Sequence, residues 1–132
     1  MRVSELAKKL GATSDTVRFY TRIEYLAPKK NKINGYKEYG EKEMHRLRFI
    51  MSARQLGFSV DDIGEIINEA EKGRRACPLV RKLIVQRLEE TEKGFAETIA
   101  LRDRMKSAVK AWEKKPDMDP TGDMICHLIE EF

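Results

Sequence analysis

Residues 1–40 read MRVSELAKKLGATSDTVRFYTRIEYLAPKKNKINGYKEYG, and this stretch decides the fold. Val3, Leu6, Ala7 and Leu10 recur at i, i+3, i+4 and i+7, which predicts a helix over about residues 4–10. Ser4 suits its cap and Gly11 the position just past its end. Thr13 suits the cap of a second helix, about 14–22. Val17 and Tyr20 share one face of that helix, while Phe19 and Ile23 share another. Such a helix packs on one side and meets a partner on the other. Pro28 ends the approach, Lys29, Lys30 and Lys32 crowd together, and Asn34-Gly35 signals a tight hairpin turn with Tyr36 and Tyr39 framing Lys37 beyond it. Helix, turn, helix and basic wing is an order that points to duplex DNA.

Working outward, the charge supports that direction. Residues 1–60 carry 13 Lys/Arg against 6 Asp/Glu, and residues 61–132 carry 13 against 16, so the basic excess lies in the first half. A basic face suits a polyanion, although solvated surface charge gives the same numbers. There is no run of roughly 18 apolar residues to span a membrane, and no signal-like apolar core at the N-terminus. Two cysteines 49 positions apart make no disulfide framework. These features lead us to expect a cytoplasmic protein with reduced thiols.

A third helix, about 41–56, carries Met44, Leu47, Ile50, Met51 and Ala53 before Gly57. Ser59-x-x-Asp62 is a capping-box start for a fourth, about 60–71, with Ile63, Ile66 and Ile67 inward. Gly73-Arg74-Arg75 is a break. A long helix then runs over about 78–114 from Pro78. Its 4-3 ladder is Ile84, Leu88, Thr91, Phe95, Thr98, Arg102, Met105, Val109 and Trp112, a coiled-coil seam with a polar middle. About 37 residues at about 1.5 Å each make a rod of roughly 55 Å. With no partner of that length in the chain, we expect a homodimer, parallel or antiparallel. Pro116 to Gly122 reads as loop, and Met124 to Phe132 as a last short helix. The expected fold is mainly α: a winged helix-turn-helix with connecting helices over 1–72, a dimerisation coiled-coil helix over 76–114, and a C-terminal effector loop and short helix over 115–132.

Cys77 stands immediately before Pro78 at a helix start, and Cys126 is followed by His127. Helix starts favour thiolate, the form that binds metals and attacks electrophiles. The alternative for each thiol is a small buried residue. Adjacent residues in a helix point apart, which makes joint ligation by Cys126 and His127 awkward. His45 reads as structural or exposed. No phosphate-cradling glycine loop, nucleophile elbow or acid/base constellation points to an enzyme.

Over essentially its whole length the chain resembles the MerR family of bacterial transcription regulators. The residues that carry the resemblance are VSELAKKLGATSDTVRFYTRIEYLAP, NGYKEYG, FIMSARQLGFSVDDI and the long helix. The resemblance implies dimers joined through an antiparallel coiled coil. It implies a promoter whose two polymerase-contact elements are too far apart, which the dimer distorts for RNA polymerase when an effector binds. It places Thr16, Arg18 and Tyr20 where the second helix meets DNA, and Tyr36, Lys37 and Tyr39 on the wing. Arg18, Lys37 and the tyrosine hydroxyls suit phosphate contact; the other reading of Arg18 is solubility and of Tyr20 core packing. The family usually has Arg at the Lys37 position and Gly-Leu at Glu24-Tyr25, so a differently shaped turn is expected there.

In the family's metal sensors the ion lies between the start of one subunit's dimer helix and the other subunit's C-terminal loop. Cys77 and Cys126 match those two positions. The resemblance therefore implies a soft or borderline divalent ion (zinc, cadmium, lead, mercury or cobalt) and control of metal efflux or detoxification. Metal-sensing relatives usually carry a further loop cysteine, where this chain has Asp117, Met118 and Asp119. His127, a carboxylate, Met118 or water would complete the ligands. The missing cysteine motivates an alternative, the same regulator sensing electrophiles or oxidants through Cys77 and Cys126.

Overall fold

The computed structural model describes all residues 1–132. Its elements in chain order are α1 (Val3–Leu10), α2 (Ser14–Arg22), β1 (Lys29–Lys30), β2 (Lys37–Glu38), α3 (Glu41–Gln55), α4 (Val60–Glu71), α5 (Cys77–Trp112) and α6 (His127–Glu130). Two compact units divide the chain, Met1–Arg87 and Leu88–Phe132. No helix is long and apolar enough to cross a membrane.

The first unit closes around Leu6, Val17, Leu47, Ile50 and Ile63, all fully buried. Each such side chain contributes about 1.5–3 kcal/mol by leaving water. Leu83 of α5 is buried in the same core, with Leu79, Val80 and Ile84 packed against it. Asp62 serves two elements. Its backbone N–H donates to Ser59 Oγ (3.0 Å) and its carboxylate accepts from Ser59 N–H (3.0 Å), so the capping box forms as read. The same carboxylate lies 3.3 Å from Arg87 Nε, tying the base of α5 to the start of α4.

Two local expectations change. Ser4 does not cap α1: the helix begins at Val3 behind Arg2, without a side-chain cap. The reason is long-range, because Met1 pairs with the end of the wing. Tyr39 N–H donates to Met1 O (2.6 Å), and the Met1 ammonium donates to Tyr39 O (2.9 Å). The wing turn is not a two-residue Asn-Gly hairpin. With Lys29 opposite Glu38 and Lys30 opposite Lys37, residues 31–36 all belong to the connection. Asn31 organises it, its Oδ1 accepting from Ile33 N–H (2.8 Å) and Asn34 N–H (3.2 Å), and Gly35 supplies the left-handed φ of 72°. At the Glu24-Tyr25 turn Glu24 itself adopts φ 68°, a left-handed conformation that glycine takes freely.

In the second unit, α5 ends at Trp112, whose ring meets Phe132 edge-on at 5.7 Å. The expected helix over 124–132 shrinks to the single turn of α6. Cys126 precedes it in extended conformation (φ −148°, ψ 115°).

Candidate nucleic-acid interface and thiol positions

Thr13 starts α2 as read, its Oγ1 accepting from Thr16 N–H (3.1 Å) and lying 2.9 Å from the Thr16 hydroxyl. That start aims Arg18 outward, where its guanidinium meets Asp15 at 3.1 Å with both side chains largely exposed. An exposed pair of this kind is worth about 0–1 kcal/mol, so Arg18 is readily redirected to a phosphate. Arg22, one turn on, lies over the Phe19 ring at 5.5 Å.

Between α2 and the wing is a surface cavity of about 410 Å³ lined by Val3, Arg18, Thr21, Arg22, Lys37 and Tyr39. Three cations from two elements surround it, an arrangement suited to the phosphodiester backbone. Arg22 and Thr21 were missed in the sequence. The i, i+4 spacing of Arg18 and Arg22 on one polar face is the signal that could have found them.

The tyrosines divide into two kinds. Tyr36 is half exposed, with the Arg2 guanidinium 4.2 Å from its ring centre. Tyr20 and Tyr39 are core residues, 6% and 2% exposed. Tyr20 packs edge-on to Phe19 (5.0 Å) and parallel to Tyr25 (6.1 Å). The Tyr39 hydroxyl is 2.7 Å from the Thr21 hydroxyl, pinning the wing to α2. The apolar area of these rings outweighs the pull of their hydroxyls toward water. Both rings pack into the core, and Tyr39 also lines the cavity between α2 and the wing.

The thiols occupy different units. Cys77 is exposed at the first residue of α5, and Cys126 is half-buried ahead of α6; both are free. The backbone N–H groups of Ile125 and Cys126 donate to Glu130 Oε2 at 3.0 and 2.7 Å, fixing the turn that presents Cys126. Cys126 is extended rather than helical, and consecutive side chains of extended backbone also point to opposite sides. His127 is buried, 6% exposed, with Nε2 2.9 Å from the Pro116 carbonyl and Nδ1 3.8 Å from a Glu131 carboxylate oxygen. A carbonyl can only accept, so Nε2 carries a proton. Within one chain no three His, Cys, Asp or Glu side chains gather as a metal cluster. His45 is exposed on α3.

A helix-turn-helix, a basic wing pinned to its second helix and a long helix with an uncovered apolar face define a winged-helix DNA-binding protein. Residues 1–70 match the MerR HTH family regulatory proteins and residues 44–108 the MerR DNA-binding family. The chain belongs to the MerR family of DNA-binding transcription regulators. An uncharacterised HTH-type transcriptional regulator of Pseudomonas aeruginosa is 33% identical over 96% of this chain and 100% of its own length. The transcription regulator PbrR691 of Ralstonia metallidurans, solved in complex with lead(II), shares the fold with a TM-score of 0.73 and 23% identity, covering 99% of this chain and 98% of that one. MerR of Bacillus megaterium, solved in complex with mercury(II), gives a TM-score of 0.59 at 25% identity over 99% and 98% of the two chains. These relatives are regulators, not enzymes.

Proposed function

We propose that this chain is a metal-responsive regulator that holds promoter DNA as a homodimer and answers a soft or borderline divalent ion. In this reading residues 1–72 grip the duplex, 76–114 pair the protomers and 115–132 complete the sensor. Arg18, Arg22 and Lys37 hold phosphates, and Thr16 and Tyr36 flank them. The ligands are Cys77 of one protomer and Cys126 of the other, with any bond from His127 going through Nδ1. A His whose other ring nitrogen donates to a backbone carbonyl has the support commonly found behind metal-bound imidazole.

The observation that carries the reading is the placement of the two thiols. One stands exposed at the start of the long helix, and the other is held in an extended turn after it. Thiolate with imidazole or carboxylate fits zinc, cadmium or cobalt, and paired thiolates fit lead or mercury. What a bound ion supplies is a link between thiolates of two protomers. The chain's own contribution is transmission: α5 joins the Cys77 end to the core through Leu83 and the Arg87–Asp62 pair, so a shift of α5 reaches α4 and the helix-turn-helix. A dimer moved in this way distorts an overlong promoter so that RNA polymerase engages both of its elements. The lead and mercury complexes of the two similar regulators favour a metal over an electrophile as the signal.

The test is a Cd²⁺ titration of the reduced, metal-free protein, followed by thiolate-to-metal charge-transfer absorbance. A saturating band is expected, lost in Cys77→Ser and in Cys126→Ser. Re-mixing the two variants so that protomers exchange restores part of it, because each mixed dimer regains one intact pair. No band in the wild type sinks the metal reading, and no recovery on mixing sinks the shared site.

A further inference from the structure

We infer that Ile33 is an apolar wedge that the wing inserts into the minor groove of the bound duplex. Ile33 is 97% exposed, more than any other large apolar side chain of the protein. It stands at the tip of the connection between β1 and β2, where water gains nothing from it. The tip is firmly built. Asn31 Oδ1 accepts from the N–H of Ile33 itself, and Asn31 Nδ2 donates to Glu38 Oε1 at 2.9 Å across the hairpin. Two backbone bonds close the loop beneath it: Asn31 N–H to Tyr36 O (2.8 Å) and Gly35 N–H to Asn31 O (2.9 Å).

Lys29 and Lys30 on β1, Lys32 in the connection and Lys37 on β2 make the hairpin that carries this apolar tip basic. A protein partner of ordinary surface has no reason to meet an isolated isoleucine on a basic hairpin. A duplex has both halves of the complement, phosphates along the groove edges and apolar base and sugar surface on its floor. The minor groove is only about 6 Å wide, which admits a side chain and not a hairpin. Apolar side chains pushed between base steps there unstack and kink the duplex. The wedge thus names a residue through which the wing would bend DNA while α2 reads the neighbouring groove, the two held in register by Tyr39 and Thr21. The inference rests on the DNA-binding reading above.

The probe is a duplex enriched by the wild-type protein from a random-sequence pool, with 2-aminopurine placed at successive steps. Ile33→Ser and Ile33→Leu are compared with wild type for affinity, salt dependence and fluorescence; thermal melts establish that both fold. Ile33→Ser is expected to bind roughly tenfold more weakly, the loss of part of one buried isoleucine. Its salt slope stays unchanged, and it loses the fluorescence rise that reports unstacking. Ile33→Leu keeps both affinity and unstacking. Wild-type affinity and fluorescence in Ile33→Ser would overturn the wedge and leave DNA binding intact, a result that turns the tip toward a protein at the promoter. Failure of the wild type to enrich any duplex overturns the DNA reading and the wedge together.

Discussion

Tyr25 and Gly64 show how a single residue choice is answered elsewhere in the chain. The Tyr25 hydroxyl donates to the Val60 carbonyl (2.8 Å), joining the end of the helix-turn-helix to the first turn of α4. To reach it the phenol passes so close to Gly64 that a Cβ there would overlap the Tyr25 oxygen and come within 2.9 Å of Cζ. Gly64→Ala is therefore expected to cost about 1–3 kcal/mol through overpacking. Tyr25→Leu loses a hydrogen bond worth about 1 kcal/mol. The double variant should lose clearly less than the sum, since removing the phenol vacates the space the new methyl needs. Urea midpoints of the four proteins give the coupling, and simple additivity would refute the contact. Burial, then the charge of Asp61, raises the Tyr25 pKa above the usual 10.0. Its contribution is thus fully present below the ordinary tyrosine range. It is lost as pH rises through the folded-state value, because the unfolded chain ionises first. Tyr25→Phe should flatten that alkaline slope.

At the scale of elements, the surface proposed to face phosphate is a joint product of α2 and the wing. Arg18, Arg22 and Lys37 meet only because Tyr39 bonds Thr21 across the two. Replacing any one of the three by Ala should lower the slope of log affinity against log salt by about 1.8, since the proposed homodimer loses the contact twice and each phosphate contributes about 0.9. Slopes measured on a fixed duplex decide this, and an unchanged slope removes that residue from the interface. Local pattern carried the starts of α2 and α4, because Thr13 and the Ser59–Asp62 box act within a single turn. It failed for α1, whose start is set by Met1 pairing with Tyr39, thirty-eight residues away. It failed in the wing as well. Asn34-Gly35 is a sound turn signal, but the Asn31 side chain captures the loop first and widens it to six residues. The burial of Tyr20 was open in the sequence and that of Tyr39 was not foreseen, for a related reason: a tyrosine reads equally as floor or as contact until its neighbours are placed.

At the scale of the whole molecule, the proposed pairing of the thiols was legible only through the family resemblance, since groups proposed to meet across two protomers leave no spacing within one. The seam of α5 was legible directly, because its 4-3 period lies within one helix. Phe95 (68%), Leu88 (55%), Met105 (57%) and Val109 (69%) are exposed along it. Such a run on one helix is a surface awaiting cover. Reversing the ladder against itself pairs Ile84 with the partner's Val109 and Leu88 with the partner's Met105. It sets Phe95 beside the partner's Thr98 and Arg102 beside the partner's Thr91, so apolar residues flank a polar centre at both ends. In this antiparallel register Leu88 lies 17 residues along the helix from its own counterpart, about 25 Å. That is far beyond the roughly 7 Å between Cα atoms that a disulfide tolerates. In a background with Cys77→Ser and Cys126→Ser, Leu88→Cys combined with Met105→Cys should therefore oxidise to a covalent dimer on a non-reducing gel, while Leu88→Cys alone stays monomeric. Crosslinking by Leu88→Cys alone would mean parallel helices, and a pair of parallel helices holds Cys77 and Cys126 of opposite protomers at opposite ends. The gel thus tests the dimer and the shared metal site together, and the cadmium titration then tells which of the two gave way.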